Sequence, residues 1–176
     1  MAERRPFVIS VLGLKGSGKT TVCEALIAAL SARGCEVGAL KKTHLERLAL
    51  DPKDTDSARL FAAGASFVAV RSVTQTVTVS RETGRGRPAG LLELVPPHIG
   101  IVVAEGVAPE QGEGPCVVLC LREWKKFEET MRERAVSERH LLALAGVFAV
   151  SGLSGGEAPV PIYDVLDPGQ RESLCE

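Results

Sequence analysis

The stretch Gly13-Leu-Lys-Gly-Ser-Gly-Lys-Thr20 narrows the possible folds more than any other feature, because it sits between two segments of different hydrophobic period. Upstream, Phe7-Val-Ile-Ser-Val-Leu-Gly13 is a short apolar, β-branched run with the character of a buried strand. Downstream, Lys19 to Ala32 carries Val22, Leu26, Ile27 and Leu30 at helical spacing. A strand, a turn of the form G-x-x-x-x-G-K-[ST] and a helix make the P-loop pattern in its required context. The glycines let backbone N–H groups turn inward around a phosphate, and the helix start near Gly18 adds the positive end of its dipole. Lys19 is then expected to bridge β- and γ-phosphates. Thr20 is expected to place its hydroxyl on Mg²⁺, with Thr21 near the α-phosphate; a side chain at Gly16 or Gly18 would crowd the anion.

The rest of the chain alternates in the same way. Glu36 to Lys42 reads as a second strand, Asp54 to Ala63 as a helix stopped at Gly64, and Ser66 to Ser72 as a third strand. Val73 to Ser80 alternates apolar and polar residues, the period of a half-exposed edge or interface strand. The glycine- and arginine-rich 81–88 segment reads as a loop. Ile99 to Ala104 and Cys116 to Leu121 are further apolar strands. Trp124 to Ala145 is expected to be helical, with a break near Ser137, followed by strands at Val147 to Ser151 and Val160 to Val165. Strands that are continuous apolar runs, alternating with helices, imply an α/β fold: a mainly parallel sheet covered by helices on both faces. At 176 residues the chain is expected to form a single domain over 1–176.

Composition removes several classes of function. With 21 Lys+Arg against 22 Asp+Glu, no overall field draws the chain to nucleic acid or anionic lipid. The longest apolar run, Leu141 to Val150, is about half the ~20 residues of a membrane-spanning helix. Glu3-Arg4-Arg5 and the apolar run after it lack the cleavage site of a secretory signal. Five cysteines, an odd number without Cys-x-x-Cys spacing, read as free thiols of a reducing cytoplasm.

A phosphate cradle needs an acidic group nearby to hold the metal directly or through water. Glu105 follows the apolar Ile101-Val-Val-Ala and precedes Gly106, which places it at the carboxyl edge of the sheet. Asp51, Asp54 and Asp56 follow the second strand; capping explains Asp54, whereas Asp51 and Asp56 lean toward the nucleotide site. Lys41, Lys42 and His44 cluster at the end of that strand.

These residues together resemble the MobB family, molybdopterin-guanine dinucleotide biosynthesis protein B. The likeness is carried by Gly16-Ser-Gly-Lys-Thr-Thr21, Leu40-Lys-Lys-Thr-His44, Asp51 with Asp56-Ser57, Ala63-Gly64-Ala65 and Glu105-Gly106, over roughly residues 7 to 120. The resemblance implies a three-layer P-loop fold that binds GTP with Mg²⁺, hydrolyses it slowly and often forms a homodimer through an added strand. It also implies assistance to a MobA-type guanylyltransferase that attaches GMP to the molybdenum cofactor, or contact with molybdenum cofactor enzymes. By that likeness Gly16, Ser17, Gly18, Lys19, Thr20 and Thr21 contact phosphates; His44, from its place at the end of the second strand on the same sheet edge, is a further candidate ligand contact. Thr20, Asp56 and Glu105 stand on the metal side, and Lys19 and Glu105 are the catalytic groups. Lys42, Leu45 and Gly100 depart from the family's usual residues. No Asn-Lys-x-Asp motif reads guanine, so the preference for GTP comes from the resemblance alone.

Two other functions use similar parts. A small-molecule kinase, or an ATP-dependent ligase of the dethiobiotin-synthetase type, shares the P-loop and a Glu-Gly after an apolar strand. A GTPase serving nickel centres predicts a His- or Cys-rich tract, and this chain has only three scattered histidines.

Overall fold

The computed structural model describes residues 5–43, 59–60, 63–65, 67–80, 90–108, 116–146 and 158–176. Contacts divide the chain into two units, one from Met1–Thr43 with Leu94–Glu176 and the other from His44–Glu93.

In the larger unit, strand β1 (Phe7–Gly13) leads through the glycine-rich turn into helix α1 (Lys19–Ala32), and strand β2 (Val37–Lys41) follows. After the smaller unit come β5 (Ile101–Glu105), β6 (Val117–Leu121), helix α2 (Phe127–Glu133), β7 (Leu141–Gly146), β8 (Ile162–Asp164) and helix α3 (Pro168–Ser173). The six strands form one sheet in the order β2-β5-β1-β6-β7-β8, and every pairing in it is parallel. Buried parallel strands have no solvated face, which is why β6, Val-Val-Leu-Cys-Leu, is buried at all five positions.

Alternate residues of each strand serve opposite faces. Val11, Val118 and Ala143 meet Val22, Cys23 and Leu26 of α1 on one side. Leu12, Leu119 and Leu144 meet Phe127 and Met131 of α2 on the other. The result is the three-layer α/β arrangement expected from the sequence. Each fully buried aliphatic side chain contributes about 1.5–3 kcal/mol. Trp124 extends the second cluster by stacking on Phe127, with ring centroids 5.0 Å apart and planes 9° from parallel.

Most expected elements appear within a residue or two of their bounds, but Trp124 to Ala145 does not. Only Phe127–Glu133 is α-helical there, with short 3₁₀ turns at Trp124–Lys126 and Glu138–His140, and Leu141–Gly146 is strand β7. Leu-Leu-Ala-Leu-Ala favours a helix locally, but in the fold it is a buried strand between β6 and β8, and tertiary context overrides propensity. An irregularity at Val117/Val118 takes up one residue of β7, so that Val118 pairs with Ala143. Helix α3 has no counterpart in the sequence reading, although its start is marked: Asp167 Oδ1 accepts from Gly169 N at 2.8 Å and Gln170 N at 3.1 Å, with Pro168 at the first turn. The expected strand Val147 to Ser151 lies outside the described residues, except for its approach through β7.

The smaller unit is described chiefly by an antiparallel pair, β3 (Phe67–Arg71) and β4 (Thr76–Ser80), in register from Phe67↔Ser80 to Arg71↔Thr76. Ser72 closes the turn: its Oγ accepts from Gln75 N at 2.9 Å and Thr74 N at 3.3 Å. Val70 and Val77 face each other on one side of this ladder, and both stay about half exposed. Of the alternating 73–80 segment only Thr76–Ser80 is strand; it is exposed and paired outside the main sheet, and residues 73–75 belong to the turn. Of the expected helix 54–63, Arg59 and Leu60 are helical and Gly64 takes a positive φ of 113° beyond its end; its start lies outside the described residues.

Candidate functional site

Parallel pairing brings the carboxyl ends of β2, β5, β1 and β6 to one edge of the sheet, where ligands bind in open α/β folds. At that edge β1 ends on Gly13, which pairs with Cys120. Gly13 has φ 149°, and a Cβ there would lie 2.2 Å from the Cys120 carbonyl oxygen, so only glycine lets the two backbones approach this closely.

The loop beyond Gly13 is tied to itself. Ser17, 1% exposed, donates its hydroxyl to the Leu14 carbonyl at 2.9 Å, and Lys19 Nζ donates to the same oxygen at 2.6 Å. Lys19 thus folds back across the loop it follows. Burial holds its pKa below the usual lysine value, with smaller pushes in the same direction from Arg134 and Lys41, against Cys120 and Glu105. Gly18 caps α1 in the left-handed region at φ 86°, and among the described residues no side chain caps the helix. The first-turn N–H groups of α1 therefore have neither a carbonyl one turn earlier nor a side-chain acceptor, and the first turn holds no acidic residue. Such a helix start suits an anion.

Glu105 ends β5, paired with Val11 of β1 and Lys41 of β2. One of its oxygens, Oε2, accepts from Thr20 Oγ1 at 3.0 Å and from Lys41 Nζ at 3.0 Å. The Glu105 side chain is 13% exposed and that of Lys41 59%, so the ion pair is wet on one side and contributes little to stability. Gly106 N bonds Val11 O, and Lys42 N bonds Glu105 O, which locks the strand end that carries the carboxylate.

Lys19, Thr20 and Glu105 thus come together as the sequence suggests, around a loop formed by Gly16, Ser17 and Gly18, with Thr21 half-buried in the first turn of α1. Thr20 and Glu105 offer hard oxygen donors next to amide groups suited to phosphate, a donor set that fits Mg²⁺ shared with a phosphate tail. Among the described residues no three His, Cys, Asp or Glu side chains gather into a metal cage of their own. His44, Asp51, Asp54 and Asp56 lie outside the described residues. Sequence reasoning missed Arg122, which directly follows β6 on the far side of β1 from Glu105. Its only sequence signal is that a buried strand ends on an arginine.

No disulfide links any of the five cysteines. Burial pushes the Cys23 thiol up to about 12, and burial raises Cys120 further still, so neither is a ready nucleophile. No helix among the described residues is long and apolar enough to cross a membrane.

The sequence matches the family model for molybdopterin guanine dinucleotide synthesis protein B over residues 8–144. No curated protein gives a significant match. Among solved structures, the chain is similar to a MobB protein homolog from Bacillus stearothermophilus, at 23% identity and a TM-score of 0.62 over 95% of this chain and 93% of that one. It is similar to Bacillus subtilis MobB at 22% identity and a TM-score of 0.63, over 95% and 94% of the two chains. These likenesses support the fold, while the family model covers the strand, loop and carboxylate that build the site; the chain belongs to the MobB family of molybdopterin guanine dinucleotide synthesis proteins.

Proposed function

We propose that the chain binds GTP with Mg²⁺ in the cradle between β1 and α1 and hydrolyses it slowly. Its nucleotide-dependent contacts then assist a MobA-type guanylyltransferase in attaching GMP to the molybdenum cofactor. The observation that carries the nucleotide site is the convergence of Thr20 and Lys41 on one oxygen of Glu105, beside a helix start with no cap of its own.

Lys19, freed from the Leu14 carbonyl by a stronger acceptor, turns its ammonium to the β- and γ-phosphates. The first-turn amides of α1 hold the phosphate oxygens in place, and Thr20 and Glu105 orient the metal side. Mg²⁺ held by Thr20 and Glu105 would supply charge neutralisation at the γ-phosphate. Glu105, already holding Lys41 and Thr20, gives the site a carboxylate that is aimed before nucleotide arrives. Asp56 as a second metal-side group and His44 as a ligand contact complete the proposal, and Asp56→Asn and His44→Ala test them by Mg²⁺-dependent and total GTP affinity.

The β3–β4 ladder supports a homodimer. A two-stranded pair is marginally stable alone, and Val70 and Val77 leave an apolar stripe for a second copy to cover. Sedimentation showing only an 18.6 kDa species at high concentration would count against it. Cysteines without disulfides fit a cytoplasmic protein, and we take both units as parts of one nucleotide-binding domain.

Calorimetric titration with GTP and ATP in parallel, with and without Mg²⁺, tests the reading. Mg²⁺-dependent GTP binding supports it. A clear ATP preference with turnover of at least about 1 s⁻¹ on a small acceptor transfers the site to the kinase class.

A further inference from the structure

Sheet order sets β1 between two neighbours of opposite character. On one side β5 delivers Glu105, with Lys41 of β2 behind it, and this is the metal side of the cradle. On the other side β6 runs parallel to β1 in the register Gly13↔Cys120, so the residue two places beyond Cys120 leaves the sheet beside the loop that follows Gly13. That residue is Arg122. Its Nη1 lies 3.9 Å from where a Cβ on Gly16 would stand, so the guanidinium rests over the backbone of the glycine turn.

Among the described residues this cation forms no ion pair, and the carboxylate of the neighbouring Glu123, itself paired with Lys125, adds only a weak attraction. Lys125 is paired with Glu123 at 2.7 Å, and Lys126 is paired with Glu129. Arg122 is exposed, and among the described residues no carboxylate lies within ion-pair distance of it. It stands on the rim of a groove of about 260 Å³ that Leu14 of the loop and Thr130 of α2 also line. The Thr130 hydroxyl, in a residue 1% exposed, has no hydrogen-bond partner among the described residues.

We propose that Arg122 is a phosphate ligand of the bound nucleotide, closing the cradle from the β6 side. A triphosphate tail with its metal on the Glu105 side keeps anionic oxygens facing away from that metal. Lys19 neutralises part of that charge, and a planar guanidinium over Gly16 is placed to take up the rest with two parallel N–H donors. Arg122 reads phosphate and not the base. Its contribution is therefore the same for any purine triphosphate and does not depend on Mg²⁺, unlike that of Glu105.

This inference rests on the proposed nucleotide site, and the test keeps the two apart. GTP and ATP are titrated into the full chain and into Arg122→Ala, Arg122→Gln and Lys19→Ala, each with and without Mg²⁺. Circular dichroism confirms that each variant is folded. Both Arg122 variants are expected to lose about ten- to a hundredfold in affinity, by an equal factor for each nucleotide that binds and in both metal conditions. Lys19→Ala is expected to lose binding altogether. Wild-type affinity in folded Arg122→Gln, with Lys19→Ala still unable to bind, overturns the role of Arg122 and leaves the cradle standing. Wild-type affinity in Lys19→Ala overturns the nucleotide site itself, and the arginine's role with it.

Discussion

Thr20 donates its hydroxyl to Glu105 at 3.0 Å, joining the first turn of α1 to the end of β5 across 85 residues of sequence. The bond depends on sheet order: β5 lies directly beside β1, and the register Val11↔Glu105 ends β5 two residues short of the end of β1. A hydroxyl and a carboxylate held together at the mouth of an amide-lined turn form a preorganised oxygen pair for a hard cation.

Replacing Glu105 by Gln keeps the shape and removes the charge. GTP affinity measured with Mg²⁺ should fall about tenfold, while affinity without Mg²⁺ should be unchanged or slightly higher because an anion near the phosphates is gone. An unaltered Mg²⁺ dependence in the folded variant would remove Glu105 from the metal side.

Lys41 acts in the opposite sense. Its ammonium sits 3.0 Å from the oxygen that faces Thr20, where in the proposed site it would compete with a divalent cation. Lys41→Ala should lower the Mg²⁺ concentration for half-maximal GTP binding several-fold, and raising the salt concentration should shrink the difference. A higher Mg²⁺ requirement would show that Lys41 supports the metal side.

Gly13→Ala tests the close approach of β1 to β6. The new methyl carbon would stand 2.2 Å from a backbone oxygen at a φ that L-residues rarely adopt, so a loss of about 3 kcal/mol or more is expected in denaturant unfolding. For scale, Leu119→Ala in the fully buried centre of β6 should cost about 2–5 kcal/mol. Asp167→Ala at the cap of α3 should cost about 1 kcal/mol. A Gly13→Ala variant as stable as the parent would mean that the two strands separate at little cost.

The buried thiols give a pH signature. Cys23 is raised from the ordinary 9.0 to about 12, so above pH 9 the unfolded chain ionises this thiol while the folded chain keeps its proton. The folded state then binds more protons than the unfolded one, and stability should decline from pH 9 toward 12. Below pH 9 both states are protonated and the contribution is fully present. Denaturant midpoints between pH 8 and 10.5 should show this decline, and Cys23→Ala should reduce its slope, the raised thiols of Cys120 and Cys175 supplying the remainder. Rapid alkylation of Cys23 in the native chain at pH 8 would contradict the burial.

The sequence carried local information well and relational information poorly. β1, the glycine turn and α1 were legible because a change of period and a glycine pattern coincide there. β5 and β6 were legible because a strand buried on both faces is a continuous apolar run. β7 was misread because Leu141-Leu-Ala-Leu-Ala continues a charged, helix-favouring stretch, and only its place between β6 and β8 decides its state. Asp167-Pro168 was a readable helix start that went unused. The pairing of Lys41 with Glu105, and the position of Arg122 over Gly16, depend on which strands are neighbours, which no local pattern states.

The most direct test is titration of the full chain with GTP and Mg²⁺ beside the same titration of Lys19→Ala, with circular dichroism on both. The account predicts saturable, Mg²⁺-dependent binding to the parent and none to the variant, with superimposable spectra. Equal binding by the two chains, or no binding by the parent, would contradict it.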